Sequence, residues 1–362
     1  MAAVQRFGIL TSGGDCPGLN AAIRGVARAA YGLGAVEVVG IANGYQGLIS
    51  LETRELHRDD FSGILTLGGT ILGASREKPY EDGERVSDSE VAMSKPDIIK
   101  ANYRKLGLDC LVVLGGNGTH TTAHLLSEAG LNVIGLPKTI DNDIWGTDVC
   151  FGFHSAVSIA TESIDRLHST AASHNRVMIA ELMGNKAGWL ALYAGIAGGG
   201  DVVLIPEIAY DVESITRHLE RRTTQEKPFS IVVVAEGALS REEAALGKKE
   251  RRRFRESTGF TTIGYRLARE LAQATGLETR LTALGYVQRG GTPSAYDRVL
   301  ATSFGTAAAQ LMASGDFGKM VAMRGSEIVG VPLAEVADRI KLVPEGHPLV
   351  ETGRLVGTCF GD

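Results

Sequence analysis

Residues 109–130 read "DCLVVLGGNGTHTTAHLLSEAG". The run Leu111 to Leu114 is wholly aliphatic, as a strand buried on both faces of a parallel sheet requires, and Thr119 to Ala129 follows with helical spacing. Between them stand Gly115, Gly116, Asn117 and Gly118. Glycines let backbone N–H groups approach an anion closely, and a helix N-terminus adds partial positive charge, so strand, glycine turn and helix in succession make a cradle for phosphate. The same succession opens the chain at residues 6–32, "RFGILTSGGDCPGLNAAIRGVARAAYG". One such turn often does no more than reverse the chain. Two of them are hard to explain as loop geometry alone.

Downstream, the strand-like run Val133 to Leu136 leads into "GLPKTIDND", Gly135 to Asp143, which crowds Lys138, Thr139, Asp141 and Asp143 into one turn. Two readings are open. Paired acids at a strand end can divide the work of base and metal ligand, because different surroundings push their pKa values apart. Alternatively, Asp and Asn are common turn formers, and the acids are simply solvated.

Further strands are expected at Phe7 to Leu10, Val36 to Ile41, Val177 to Leu182, Val202 to Ile205, Ile231 to Ala235 and Arg280 to Leu284. Helical patterns lie at Leu19 to Tyr31, Asp97 to Lys105, Ser155 to Ser169, Val212 to Arg222, Gly259 to Ala274 and Tyr296 to Ala313. This alternation argues for a doubly wound α/β fold with ligands beyond the strand C-termini, where the glycine turns and the acidic turn all fall.

With 362 residues, 44% of them apolar, the chain can bury a large core, and its length suggests two lobes. A net charge of −5 gives no general attraction to nucleic acid or anionic membrane. Cys16, Cys110, Cys150 and Cys359 lack CxxC spacing and fit reduced thiols. No signal-peptide pattern precedes the first glycine turn, and the longest uncharged apolar stretch, Gly188 to Gly200, falls short of a membrane span. A cytoplasmic protein is expected.

"LTSGGDCPGLNAAIRG", "GGNGT", "PKTIDND", "SHNR", "ELMGN" and "YVQRGG", in this order and spacing, resemble the 6-phosphofructokinase family over roughly residues 5 to 325. The resemblance implies two similar doubly wound, Rossmann-like parallel-sheet lobes with the active site between them. Residues 1–138 with about 256–310 would form the nucleotide lobe, 139–255 with about 311–330 the fructose 6-phosphate lobe, and 331–362 a C-terminal extension. The implied reaction phosphorylates fructose 6-phosphate at its 1-hydroxyl with ATP and Mg²⁺. Positioning, charge neutralisation and a base are what such transfer demands of a protein.

By position in those motifs, Asp141 matches the general base, Asp143 its magnesium-associated partner, and Thr139 and Arg76 contacts to the transferring phosphoryl group. Gly14, Tyr45, Arg76, Glu77, Gly116, Asn117, Gly118 and Thr119 would line the nucleotide site, with Asn117 and Asp143 at the metal. The sugar phosphate would meet Thr139, Ile140, Asp141, Arg176, Met183, Gly184, Asn185, Glu236, Arg280, Tyr286, Val287, Gln288 and Arg289. Arginine suits this task because its planar fork binds phosphate bidentately. In the family, the counterparts of Arg176 and Arg280 reach in from a neighbouring subunit, which implies a homotetramer or homodimer with shared sites.

The chain departs from the best-known bacterial pattern at several positions. Asn117 replaces a usual aspartate near the metal, Asn185 a usual arginine and Tyr286 a usual histidine. Arg24, Arg28 and Arg58 match the effector pocket of allosteric members, whereas His168 stands where that pocket carries another arginine. Gly118 and Lys138 bear on the donor. Glycine at 118 leaves room for the α-phosphate of ATP, where pyrophosphate users carry aspartate, but those users share the lysine. The pairing resembles a mixed group in which ATP is usual, with a pyrophosphate-dependent enzyme as the alternative. A kinase for a larger diphosphate-bearing or nucleotide acceptor would not need the "MGN" turn or the "YVQRGG" arginine. A non-catalytic sugar-phosphate sensor would not need Asp141 and Asp143.

His120 and His124 stand i and i+4 on a helix, but no third ligand accompanies them, so packing or solvent exposure is favoured over a metal pair. Trp145 and Trp189 read as core or turn anchors. The basic run within Leu246 to Arg255 reads as a solvated loop or helix face.

Overall fold

The computed structural model describes residues 4–80, 93–224 and 229–362. Its strands are β1 (Arg6–Thr11), β2 (Glu37–Ile41), β3 (Thr53–Leu56), β4 (Cys110–Gly115), β5 (Val133–Pro137), β6 (Val177–Leu182), β7 (Val202–Leu204), β8 (Ser230–Ala235), β9 (Thr279–Ala283), β10 (Lys319–Arg324) and β11 (Glu327–Pro332). Two compact units emerge. The first holds the described residues up to Ile140, Ile144–Ser155 and Arg289–Lys341; the second holds those of Asp141–Asp143, Ala156–Gln288 and Leu342–Asp362.

In the first unit seven strands form one sheet in the order β11-β10-β5-β4-β1-β2-β3. The strands β10, β5, β4, β1 and β2 are parallel, and β11 and β3 close the two edges antiparallel. Every residue of β4 and β5 is buried, as continuous aliphatic runs covered on both faces should be. The helices Leu19–Leu33 and Ala295–Ser314 cross at very close range. A Cβ on Gly305 would lie 2.6 Å from Val26 N and one on Gly25 would lie 2.9 Å from Thr302 O, so only glycine permits this crossing.

The second unit has a wholly parallel sheet, β7-β8-β6-β9. Its core gathers Val177, Ile179, Val232 and Val234 from the sheet with Leu267 and Leu271 from the helix Ile263–Thr275. The chain end is stitched to the open edge of β7: Val203 N donates to Cys359 O and Cys359 N to Asp201 O, each at 2.9 Å.

These contacts correct the expected boundaries. Residues 311–330 belong to the first unit because β10 pairs with β5, Lys319 opposite Ile134. Residues 256–288 belong to the second because Leu267 and Leu271 pack against β6. Instead of forming a separate extension, 331–341 joins the first unit and 342–362 the second. The unforeseen strands are explicable. β3, "TREL", is a charged and largely exposed edge with no apolar run, and β10 and β11 form a two-stranded turn-back whose apolar stretches are short.

The basic run is a helix, Lys248–Thr258, with no buried residue. Two of its arginines nevertheless reach inward. Arg251 Nε donates to Glu243 O at 3.0 Å, and Arg255 Nε donates to Glu243 Oε1 at 2.6 Å. Glu243 is fully buried and is also paired with Arg266 at 2.6 Å. Burial opposes its charge, but hydrogen bonds from Arg266, the Ser240 N–H and Arg255, in falling order, hold its carboxyl below the ordinary range.

Candidate active site

In the first unit, the order β5-β4-β1 sets three strand ends side by side, spaced by ~4.8 Å per strand. The turns leaving those ends are the Lys138 turn, the Gly116–Asn117 cradle and the Ser12–Asp15 turn. They are tied together by backbone bonds: Lys138 N donates to Gly115 O at 3.0 Å and Ser12 N to Leu114 O at 2.9 Å. Gly13, in the left-handed region at φ 83°, donates its N–H to Ser75 O at 2.8 Å, which brings the "GASRE" segment beside the first turn. Arg76 is exposed there, while Glu77 is paired with Lys95 at 3.0 Å.

The helix Asn117–Glu128 starts directly from Gly116. Tyr45, fully buried, donates its hydroxyl to Thr119 O at 3.0 Å and so braces the first helical turn from beneath. Gly118 is exposed, and a Cβ built on it meets nothing within 4 Å. Neither backbone strain nor a neighbouring atom of the chain demands glycine there. At Gly14, by contrast, a Cβ would lie 1.6 Å from Arg289 Nη1, the far end of a flexible side chain, so a larger residue there would displace that guanidinium. Arg289, grouped by resemblance with the sugar residues, lies over the first glycine turn in the first unit.

Lys138 is buried and donates Nζ to Gly14 O, so the lysine of the acidic turn bridges to the first glycine turn. Asn142 takes the left-handed conformation at φ 51°, which Asn tolerates better than most residues, and thereby shapes the bend between Asp141 and Asp143. Thr139, Asp141 and Asp143 are half-buried and Ile140 is buried.

His120 is fully buried beneath the cradle, and its Nδ1 lies 2.9 Å from Gly116 O. A carbonyl can only accept, so the neutral ring carries its proton on Nδ1, while Nε2 packs against Gly135. Burial pushes its pKa down to about 4, against a weaker opposing pull from the Gly116 hydrogen bond, with Lys138 adding to the depression. His124 is only half-buried. The spacing from Gly116 to His120, one helical turn, is the signal in the sequence that could have revealed this support.

In the second unit, Met183, Gly184 and Asn185 leave the C-terminal end of β6 and Glu236 leaves that of β8; Glu236 N donates to Leu182 O at 2.8 Å. Gly184 is in the left-handed half of the map at φ 126°. Glu236 lines a cavity of about 170 Å³ with Glu181, Arg255, Thr262 and Arg266, a grouping that distance in sequence hid. Tyr286 and Val287 are exposed, at 74% and 61%. Gln288 is fully buried and gives its amide to the backbone, accepting from Met183 N at 3.4 Å and donating to Gly285 O at 3.1 Å.

Arg176 and Arg280 stand elsewhere. Arg176 immediately precedes β6, whereas Met183 follows it, so a whole extended strand, on the order of 20 Å, separates them. Arg280 is registered opposite Met178 near the same starting edge. Both arginines are paired with Glu278, Arg176 Nε at 2.8 Å from Oε2 and Arg280 Nη2 against Oε1.

Of the effector-pocket candidates, Arg28 and Arg58 line a cavity of about 110 Å³ with Tyr31, and the Arg58 guanidinium lies 4.5 Å from the Tyr31 ring centre. The ring of His168 is hydrogen-bonded through Nε2 to Gly198 O at 2.7 Å. Trp189 is buried and Trp145 exposed under Arg339. Among the described residues, no group of three or more His, Cys, Asp or Glu is placed to hold a metal, and no helix is long and apolar enough to cross a membrane. All four cysteines are free thiols.

The sequence pattern of the family described as Phosphofructokinase matches residues 6–312. The ATP-dependent 6-phosphofructokinase of Spirochaeta thermophila is 66% identical over 99% of this chain and 98% of its own length. The pyrophosphate–fructose 6-phosphate 1-phosphotransferase of Amycolatopsis methanolica is 47% identical over 94% of this chain and 96% of its own. Among solved structures, the phosphofructokinase of Pichia pastoris in the T-state matches with a TM-score of 0.78 and 32% identity over 93% of this chain; the match takes in 36% of that longer chain. With the family pattern running through β1 to β9 and through every glycine and acidic turn described above, this chain belongs to the phosphofructokinase family.

Proposed function

We propose that the chain is an ATP-dependent 6-phosphofructokinase, which transfers the γ-phosphoryl group of ATP to the 1-hydroxyl of fructose 6-phosphate. The 66% identity to a relative of that name supports the activity. A relative named for pyrophosphate at 47% leaves the donor to be argued from the site. The open space over Gly118 carries that argument. The fold asks for no glycine there, so the missing side chain is explained by a ligand that reaches beyond two phosphates. Lys138 is already engaged with Gly14 O, which weakens its reading as a mark of pyrophosphate use.

In this reading Asp141 takes the proton from the 1-hydroxyl as it attacks, and Thr139 and Arg76 meet the transferring group. The cradle from Gly116 to Thr119 receives phosphate on its N–H groups at the helix N-terminus. Asp143 and the Asn117 side-chain oxygen offer few protein ligands, all hard oxygens, which suits Mg²⁺, an ion that keeps water and nucleotide oxygens in its shell. When bound, the ion neutralises charge on the phosphates. Met183, Gly184, Asn185 and Glu236 would hold the sugar.

Arg176 and Arg280 would hold the 6-phosphate from a second copy. A single chain that uses Met183 and Glu236 at one end of its sheet cannot also use arginines from the other end on the same small sugar. A homodimer or homotetramer with shared sites follows, and the free thiols fit a cytoplasmic setting. The decisive experiment measures kcat/KM with ATP and with pyrophosphate for the wild type and for Gly118→Asp. The carboxylate should depress ATP use far more than any pyrophosphate use. A wild type that prefers pyrophosphate, or a variant that keeps its ATP rate, refutes the assignment of the donor.

A further inference from the structure

We propose that Glu278 sets the affinity of the 6-phosphate site: its carboxylate occupies the Arg176–Arg280 pair as a resident anion that the sugar phosphate must displace. The inference rests on the assignment of those arginines to the 6-phosphate.

Three observations lead to it. Parallel pairing of β6 with β9 sets Val177 opposite Thr279, and Val177 N donates to Glu278 O at 3.0 Å, which fixes Glu278 beside Arg176. Each arginine takes one oxygen of the same carboxylate, the arrangement in which two guanidinium groups would share two oxygens of a phosphate. No other acid is paired with either arginine among the described residues. Arg176, Arg280 and His174 all favour the ionised form of Glu278, the Arg176 hydrogen bond most, and its carboxyl lies below its ordinary range.

The grip is weak by construction. The side chains of Glu278 and Arg280 are 43% and 55% exposed, and ion pairs in that setting are loose and exchangeable. A phosphate ester near −2 charge, with three acceptor oxygens, makes more and stronger charge-assisted hydrogen bonds than one carboxylate can. A singly charged or poorly fitting anion does not. Glu278 therefore sets a threshold: it neutralises the pair when the site is empty and lowers the affinity of every incoming anion by a common factor, so that only an anion that binds the pair tightly displaces it.

The test uses Glu278→Gln, which keeps shape and removes charge at an exposed position, with assembly checked by sedimentation. At constant ionic strength, KM for fructose 6-phosphate should fall about three- to tenfold, with the change in KM rather than kcat. Inorganic sulfate, measured as a competitor of the sugar phosphate, should inhibit the variant more tightly by about the same factor. An unchanged or raised KM overturns the proposal, and so does a sulfate inhibition constant that does not move. Arg280→Ala in the same assay separates the two levels. If it leaves KM unaltered, the arginine assignment itself fails; if it raises KM while Glu278→Gln changes nothing, only the role of Glu278 fails.

Discussion

Acid should unfold this protein partly through His120. The ring is fully buried, its Nδ1–H is committed to Gly116 O, and its pKa is depressed from 6.5 to about 4. A depressed folded pKa means that the unfolded chain binds the proton first. The stability contributed by the neutral ring is complete above pH 6.5, declines as pH falls towards 4, and is fully lost below that. A gap of about 2.5 units at 1.36 kcal/mol each sets the loss at roughly 3 kcal/mol, a large share of a typical folding free energy. His154, His218 and His347 are also depressed by burial, so wild type alone does not isolate the effect. His120→Gln retains an N–H donor and cannot titrate in this range. Urea denaturation of both proteins at pH 7.5, 6.0, 5.0 and 4.5 should show the wild type losing up to roughly 3 kcal/mol relative to the variant across the series. Parallel loss in the two proteins would refute the reasoning, for His120 would then take its proton without opening the fold.

Two further outcomes follow from the proposed roles. Asp141→Asn preserves shape and hydrogen bonding but removes the base, so kcat should fall by ~10² or more with little change in sugar phosphate binding; near-normal turnover would dismiss Asp141 as the base. Arg176→Ala and Asp141→Asn subunits, each nearly inactive alone, should recover part of the activity when co-assembled, because some mixed sites regain both groups. Verified mixed oligomers that stay inactive would place both groups in one chain's site.

The strand–glycine–helix units were legible because two independent signals coincide in them, a continuous aliphatic run and a change of period at the glycines. β4 with its cradle and β1 with its turn lie where residues 111–119 and 7–15 predicted. The edges were not legible. β3 has a solvated face and no apolar run, and β10, besides its local pairing with β11, joins the rest of the sheet through β5, a contact over a sequence distance that no local pattern encodes. Site residues carried in motifs were found by their neighbours in sequence. Those that act through partners far away in the chain, such as Glu278 beside Arg176 or Glu181 and Thr262 beside Glu236, carry no local signature. His120 sits between these cases: its spacing was noticed, but only burial and the Gly116 carbonyl distinguish a braced ring from a metal ligand.

The glycine-lined crossing of Leu19–Leu33 with Ala295–Ser314 has a consequence for the birth of the chain. The helix that must fit against Val26 and Ala22 is made long after its partner, and β5 also waits for β10 before its outer edge is paired. At translation rates of roughly 5–20 residues per second, the strands up to Pro137 wait on the order of ten seconds or more before Lys319 emerges. Throughout that interval an aliphatic sheet has an unpaired edge and an uncovered face, the condition in which nascent proteins aggregate or recruit chaperones. The close fit that makes the finished unit compact thus makes its synthesis the vulnerable period.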